Sequence, residues 1–177
     1  MPTNKNVITG SPKGGTTGYL LRAVAGTATP TDEKTTLAAA YKDQGYVSED
    51  GVERAITKAY ETIRDMGGNE VLKTRSEHGV SVKFSLLETL NGDTAKTVYG
   101  DAAVTVTPAT STAGTKIAVA YKGDEIDSNS PWVLETALGG KIKRYVFPNA
   151  QLATEDQTVT LTGKDAAMFP VELTLYP

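Results

Sequence analysis

The chain has 177 residues, a net charge of −3 and no cysteine. That length suits one domain with room for a real core. Mild acidity argues against a basic patch that reads nucleic-acid sequence. Without thiols there are no disulfides, thiolate metal sites or cysteine nucleophiles, which fits assembly in a reducing cytoplasm. No apolar run approaches the roughly 18 residues of a membrane span, and Met1-Pro2-Thr3-Asn4-Lys5-Asn6 lacks the apolar stretch of a signal peptide.

In chain order, residues 1–18 are polar and glycine-rich and read as a flexible arm. Residues 19–25 read as a strand with apolar residues on both faces. Residues 26–50 form a long connection, of a length that is usually functional or interfacial; its patch Leu37-Ala38-Ala39-Ala40-Tyr41 has the composition for one or two helical turns. Residues 51–64 fit two readings. Val52, Ile56, Tyr60 and Ile63 sit near helical spacing among good helix formers, whereas Ile56, Lys58, Tyr60 and Thr62 share one face of an extended strand. Residues 79–88 are cleaner: Val80, Val82, Phe84 and Leu86 alternate with polar residues, the period of a half-buried strand. Asn91-Gly92 again allows two readings, a hairpin turn or a lead into a helix from Ala95 to Tyr99, with Asp93 as N-cap and Gly100 in the left-handed position after its end. The stretch 107–116, rich in Thr, Ala and Ser, reads as a mobile loop. Further strands are predicted around Ile117, Val119 and Tyr121 and over 132–136, 141–147, 158–162 and 171–176, with turns at Gly123-Asp124, Gly139-Gly140, Pro148-Asn149 and Gly163-Lys164. Short strands so spaced suggest a sandwich or barrel.

The chemistry-bearing residues form no complete constellation. A phosphate loop needs a lysine after its glycines, but Lys13 precedes Gly14-Gly15. His78 is the single histidine, and its neighbour Glu77 points to the other strand face. Glu77-His78-Gly79 reads as a turn or bulge. The oxygen-rich run from Asp124 to Ser130 lacks the spacing and terminal glutamate of a calcium loop. Asp32-Glu33 and Glu49-Asp50 read as solvated or interfacial pairs, and Trp132 and Tyr99 as core or interface anchors. Catalytic, cofactor and metal residues are expected to be absent, and the chain is expected not to be an enzyme.

An ordered run carries a resemblance. Gly45-Tyr46-Val47-Ser48-Glu49-Asp50-Gly51-Val52 is followed by Met66-Gly67-Gly68, Val71-Leu72-Lys73-Thr74, Val80 to Glu88 and Val98-Tyr99-Gly100. Later come Tyr145-Val146-Phe147-Pro148-Asn149-Ala150 and a closing Val171 to Tyr176. In this order they resemble the major tail protein, or tail tube protein, of long-tailed bacteriophages. Met66 departs from the family, where a bulkier aromatic is common.

The resemblance implies a mainly β fold: two packed antiparallel sheets, as a sandwich or partial barrel, with one short helix. It favours the strand reading of 51–64 and the helix reading after Asn91. It implies a structural subunit that joins into hexameric rings, stacked into a conduit for DNA from capsid to host; related tubes occur in contractile tails and type VI secretion. Expected partners are further copies of the chain, other tail proteins (tape measure, terminator and distal tail) and passing DNA held without specific binding, with no membrane insertion. The expected location is the virion, after assembly in the host cytoplasm. Residues 19–177 then form one domain, with 26–50 as an inter-subunit connection. Leu37, Tyr41, Tyr46, Glu49 and Asp50 are candidate contacts, and the strand-borne Glu61, Glu88 and Glu135 are candidate lumen or interface acids. A monomeric β-sandwich that binds a small ligand is the alternative.

Overall fold

Alternating apolar residues build one large antiparallel sheet. The computed structural model describes residues 7–12, 19–120, 129–153, 158–159, 164 and 166–177. Its elements are β1 (Leu20–Arg22), β2 (Lys42–Asp43), β3 (Glu53–Arg64), β4 (Glu70–Leu86), α1 (Gly92–Tyr99), β5 (Val104–Thr107), β6 (Lys116–Val119), β7 (Ser130–Leu138), β8 (Lys141–Leu152) and β9 (Phe169–Tyr176). Seven strands join in the order β2-β1-β7-β8-β9-β4-β3, and β5 and β6 make a separate pair.

The large sheet is rolled on itself. Val82, Phe84, Leu86, Leu134, Phe147, Val171 and Leu173 meet in one core around the fully buried Trp132. The rings of Phe84 and Trp132 lie 5.6 Å apart, yet β8 and β9 separate their strands. Three strand spacings span about 14 Å in a flat sheet, so the sheet must curl to bring them together. Residues 42–48 close the roll. Gln44 N donates to Leu20 O at 2.9 Å, and two residues further on Tyr46 O accepts from Leu87 N at 2.8 Å and Ser48 N donates to Ser85 O at 2.9 Å. A single turn at Gly45 thus carries the chain from β1 to β4. The mainly β class, with antiparallel sheets and one short helix, is as read from the sequence.

Helix α1 plugs the roll through Val98. Its cap differs from expectation: Asn91, not Asp93, is the N-cap, its side chain accepting from Asp93 N at 2.9 Å. Asn91 supplies a side-chain oxygen one residue before Gly92, so the helix starts earlier than Ala95. Gly100 follows Tyr99 with φ 90° and ψ 147°, positive as expected but outside the left-handed helical well. The buried Thr94 and Thr97 hydroxyls bond to Gln44 O (3.0 Å) and Gln44 Oε1 (2.6 Å), which satisfies that buried amide.

Other departures have local reasons. β8 runs through Pro148-Asn149, expected to be a turn; these two residues of β8 oppose the single Pro131 of β7, and the bulge accommodates a proline that cannot donate to the ladder. The Leu37–Tyr41 stretch makes one turn, closed by Tyr41 N to Ala38 O at 2.9 Å, and no helix. β5 occupies residues for which no strand was predicted, and β4 starts nine residues before 79. A bulge does fall at Ser76, beside Glu77-His78-Gly79. Residues 11–12 of the arm lie along β7, with Ala137 N donating to Ser11 O at 3.0 Å. Thr158 and Val159 are not in a strand. The remainder of 158–162, Tyr121, Gly123-Asp124, Gly163 and the oxygen-rich run up to Ser128 lie outside the described residues.

Candidate functional site

β3 and the first half of β4 leave the body as a two-stranded ribbon. β4 pairs with β9 only from Val80 onward, so below Gly79 its one partner is β3. Ile56, Tyr60, Ile63, Val71 and Leu72 are each at least half exposed, and Met66 at the tip is fully so. The outer edge of β3 has no strand beside it in the sheet order. The tip is rigidly built: Asp65 accepts from Gly67 N, Asn69 N and Asn69 Nδ2 at 2.8–2.9 Å, and these bonds hold its carboxyl below the usual carboxylate range.

The register gathers most of the ribbon's basic side chains on one face, where Glu70, opposite Arg64, is the acidic exception. Arg54 lies opposite Val82, Lys58 opposite His78, Tyr60 opposite Arg75 and Thr62 opposite Lys73. Paired residues share a face, so Arg54, Lys58, Lys73 and Arg75 lie together on the side that continues the core. Lys73 Nζ sits 5.4 Å from the Tyr60 ring centroid. The other face carries Glu53, Glu61 and Glu77 among the small residues Ala55, Thr57, Ala59, Gly79 and Ser81. Within the body that same face continues into Lys83 and Glu172, paired at 3.1 Å. Among the described residues, none of the four basic side chains makes an ion pair.

A second surface lies at the opposite end of β4. The carboxylate of Glu88 accepts from Tyr46 N (3.3 Å) and Asn91 Nδ2 (3.1 Å). Beside it, Tyr46 is 70% and Leu90 is 90% exposed; Glu49 and Asp50 are exposed further along, on the turn closed by Gly51 N to Ser48 O, next to Arg54 at the base of the ribbon. Asp43, nearby, has its carboxyl raised by burial and by the charge of Glu88. The structure therefore brings Tyr46 to Glu88, while Glu49 and Asp50 lie together beside Arg54 at the base of the ribbon.

The other candidates lie elsewhere. Tyr41 is buried in its own subunit with Leu21, Ala23 and Val133, and Leu37 packs against them. Glu135, a candidate lumen or interface acid, is 1% exposed. It pairs with Arg144, whose Nε donates to it at 2.6 Å. The same guanidinium donates to Asp32 O and, at 3.0 Å, to Thr35 O. A buried ion pair thus pins the 32–35 loop to β8. In that loop Asp32 accepts from Thr35 Oγ1, Thr35 N and Lys34 N, bonds that pull its carboxyl down to about 2. Glu61 is exposed on the acidic ribbon face.

A cavity of about 680 Å³ opens at the mouth of the roll, between the 8–12 arm and the base of the ribbon. Arg54, Lys143 and Tyr145 line it beside Glu49 and Asp50, and the buried Ser48 Oγ at its edge has no partner. Among the described residues there is no cluster of three His, Asp or Glu able to hold a metal, and no helix is long and apolar enough to cross a membrane.

A projecting ribbon with an unpaired edge is open to pairing with another chain. The phage tail tube protein family matches residues 2–177. The chain belongs to that family. No curated protein matches it. As a tail tube protein it is a structural subunit and a virion component.

Proposed function

We propose that this tail tube protein closes into hexameric rings that stack into a tube through which DNA passes from capsid to host. The observation that carries the reading is the ribbon, whose β3 edge and apolar side chains find no cover among the described residues. Exposed strand edges invite further pairing, and a ring in which every copy gives an edge to the next leaves none open. Self-association of this kind is heterologous, because the edge offered and the surface that receives it are different parts of one chain.

The lumen is the face of β9, β4 and β3 turned away from the core. It presents Glu53, Glu61, Glu77, Ser81 and Thr174, with Lys83 neutralised by Glu172. Small polar groups with a net negative charge give duplex phosphates nothing to adhere to, whereas basic contacts would dominate affinity and slow passage. The role is passive conduction without catalysis or cofactor. The tape measure, terminator and distal tail proteins are the further partners, and assembly takes place in the host cytoplasm. Family membership leaves no ground for the ligand-binding alternative.

Negative-stain electron microscopy and light scattering of the purified protein test the reading. Rings and tubes are the expected result. A chain that stays monomeric at high concentration would overturn it. Duplex DNA offered to assembled tubes at low salt checks the lumen, where tight, salt-sensitive binding would contradict an acidic lining.

A further inference from the structure

β7 is longer than the strand beside it. β1 pairs with Trp132, Val133 and Leu134, and Tyr19 O accepts from Glu135 N at 2.7 Å. Beyond that point the edge of Thr136, Ala137 and Leu138 is covered, among the described residues, by the arm alone. Ala137 N donates to Ser11 O at 3.0 Å, and Pro12 forms an isolated bridge with Thr136. The hold is slight. Proline has no N–H to give to the ladder. Val7, Gly10, Ser11 and Pro12 are exposed, and Ile8 is half-buried. Beneath the arm lies a cavity with Val82, Leu134, Tyr145 and Phe147 on its walls. Ser48 Oγ, on its border, is buried with no partner among the described residues. A backbone group of an inserted segment would satisfy that hydroxyl. Arg54 of β3 borders the same cavity, so the surface under the arm runs into the base of the uncovered β3 edge.

We propose that the arm is a cover supplied by the subunit to itself, and that an extended segment of a second copy displaces it to take the β7 edge and the mouth of the roll. The proposal rests on the tail tube reading and adds what restrains a free subunit from assembling. An open strand edge beside an apolar cavity accepts an extended peptide: backbone bonds give affinity, and the cavity takes side chains. In a free subunit the same edge would pair with any strand it met, and a short segment containing proline blunts it. One backbone bond and one half-buried side chain bias the closed form by on the order of tenfold. That bias delays association and still yields to a neighbour that offers more. Nucleic acid fits the cavity less well, because Glu49 and Asp50 stand on its rim and would repel phosphates.

A disulfide that locks the arm tests it. The chain has no cysteine, so an introduced pair supplies the only thiols. Pro12 and Thr136 oppose each other in the bridge, which puts the two sulfurs of P12C/T136C on one face. The oxidised monomer is expected to need at least roughly tenfold more protein to form rings than the same variant after reduction. Deleting residues 2–12 should act in the opposite sense, with rings at about a tenth of the wild-type concentration. Circular dichroism and melting establish that each variant folds. Oxidised protein that assembles as readily as reduced protein would overturn the proposal, as would a deletion variant that assembles no better than wild type. Oxidising the reduced variant after assembly gives a further check. Disulfide-linked oligomers on a non-reducing gel would mean that the arm of one copy lies on β7 of the next, an exchange and not a displacement, and would also overturn it. Wild-type protein that forms no ring would refute the tail tube reading and this proposal with it, a result distinct from rings whose onset ignores the lock.

Discussion

Replacing Gly45 with alanine tests the turn that closes the rolled sheet. Gly45 has φ +76°, and a β-carbon there would lie 2.3 Å from Glu88 Cδ and 2.6 and 2.7 Å from its carboxylate oxygens. Two costs follow. The backbone conformation costs an L-residue about 1–2 kcal/mol. The displaced carboxylate also loses its bonds from Tyr46 N and Asn91 Nδ2, at about 1 kcal/mol between them given the exposure of the site. Gly45→Ala should therefore destabilise by roughly 2–3 kcal/mol and lower Tm by about 4–12 °C. Urea or thermal melts below the assembly concentration measure it, because ring formation would make Tm concentration-dependent. Glu88→Ala supplies the control: with the carboxylate gone, the same Gly45→Ala change should cost only the backbone part. Equal costs in the two backgrounds would show that the close approach does not hold, and a total below about 0.5 kcal/mol, the range of an ordinary surface change, would refute the role of the turn.

Glu135→Ala should cost about 3–5 kcal/mol by leaving the Arg144 guanidinium buried without its charge partner; replacing both with apolar residues should cost less, as compared by urea melts. Gly100→Ala, at φ 90°, should cost about 1–2 kcal/mol; a thermal melt that matches wild type would contradict the strained end of α1. Gly92→Ala should also be felt, since its β-carbon would lie 2.6 Å from Val106 Cγ2, and comparing the two melts separates backbone strain from a side-chain clash. The Asp32 carboxyl should titrate near 2 rather than at 3.8, as followed by NMR. Because the folded value is the lower one, its contribution to holding the 32–35 loop is present above about 4 and is lost as pH falls towards 2; Asp32→Asn should abolish that acid-dependent step.

The core was legible where one face meets apolar neighbours and the other does not. Residues 80–86 alternate because Val82, Phe84 and Leu86 enter the roll while Ser81, Lys83 and Ser85 stay outside. Residues 53–64 and 70–79 have solvent on both faces, so no hydrophobic asymmetry marks the strand period, and helix-forming Glu, Arg, Ala and Lys dominate the local signal. Their extended form comes from pairing with each other, a tertiary fact that propensity does not contain. Glu135 shows a reading that was available. A two-residue turn at Gly139-Gly140 pairs Leu138 with Lys141 and, by counting back, Glu135 with Arg144. The division of ribbon charges was hidden for the opposite reason, since the bulge at Ser76 shifts the register halfway along.

One strand explains why this chain folds alone and yet is incomplete alone. From Val80 to Leu86, β4 has β9 on one side and the β3 end on the other, and its apolar residues fill the core. From Glu70 to Gly79 it has only β3, and neither face reaches a core. A two-stranded ribbon is marginal in water, so the rigid Asp65 turn at its tip and its continuity with the buried half are what hold it extended. That continuity couples assembly to the fold. Any load placed on the ribbon by a neighbouring copy passes along an unbroken backbone into the most buried part of the sheet. The ribbon cannot swing away from the body without disturbing Val82 and Phe84. A contact made through a flexible loop would transmit no such constraint.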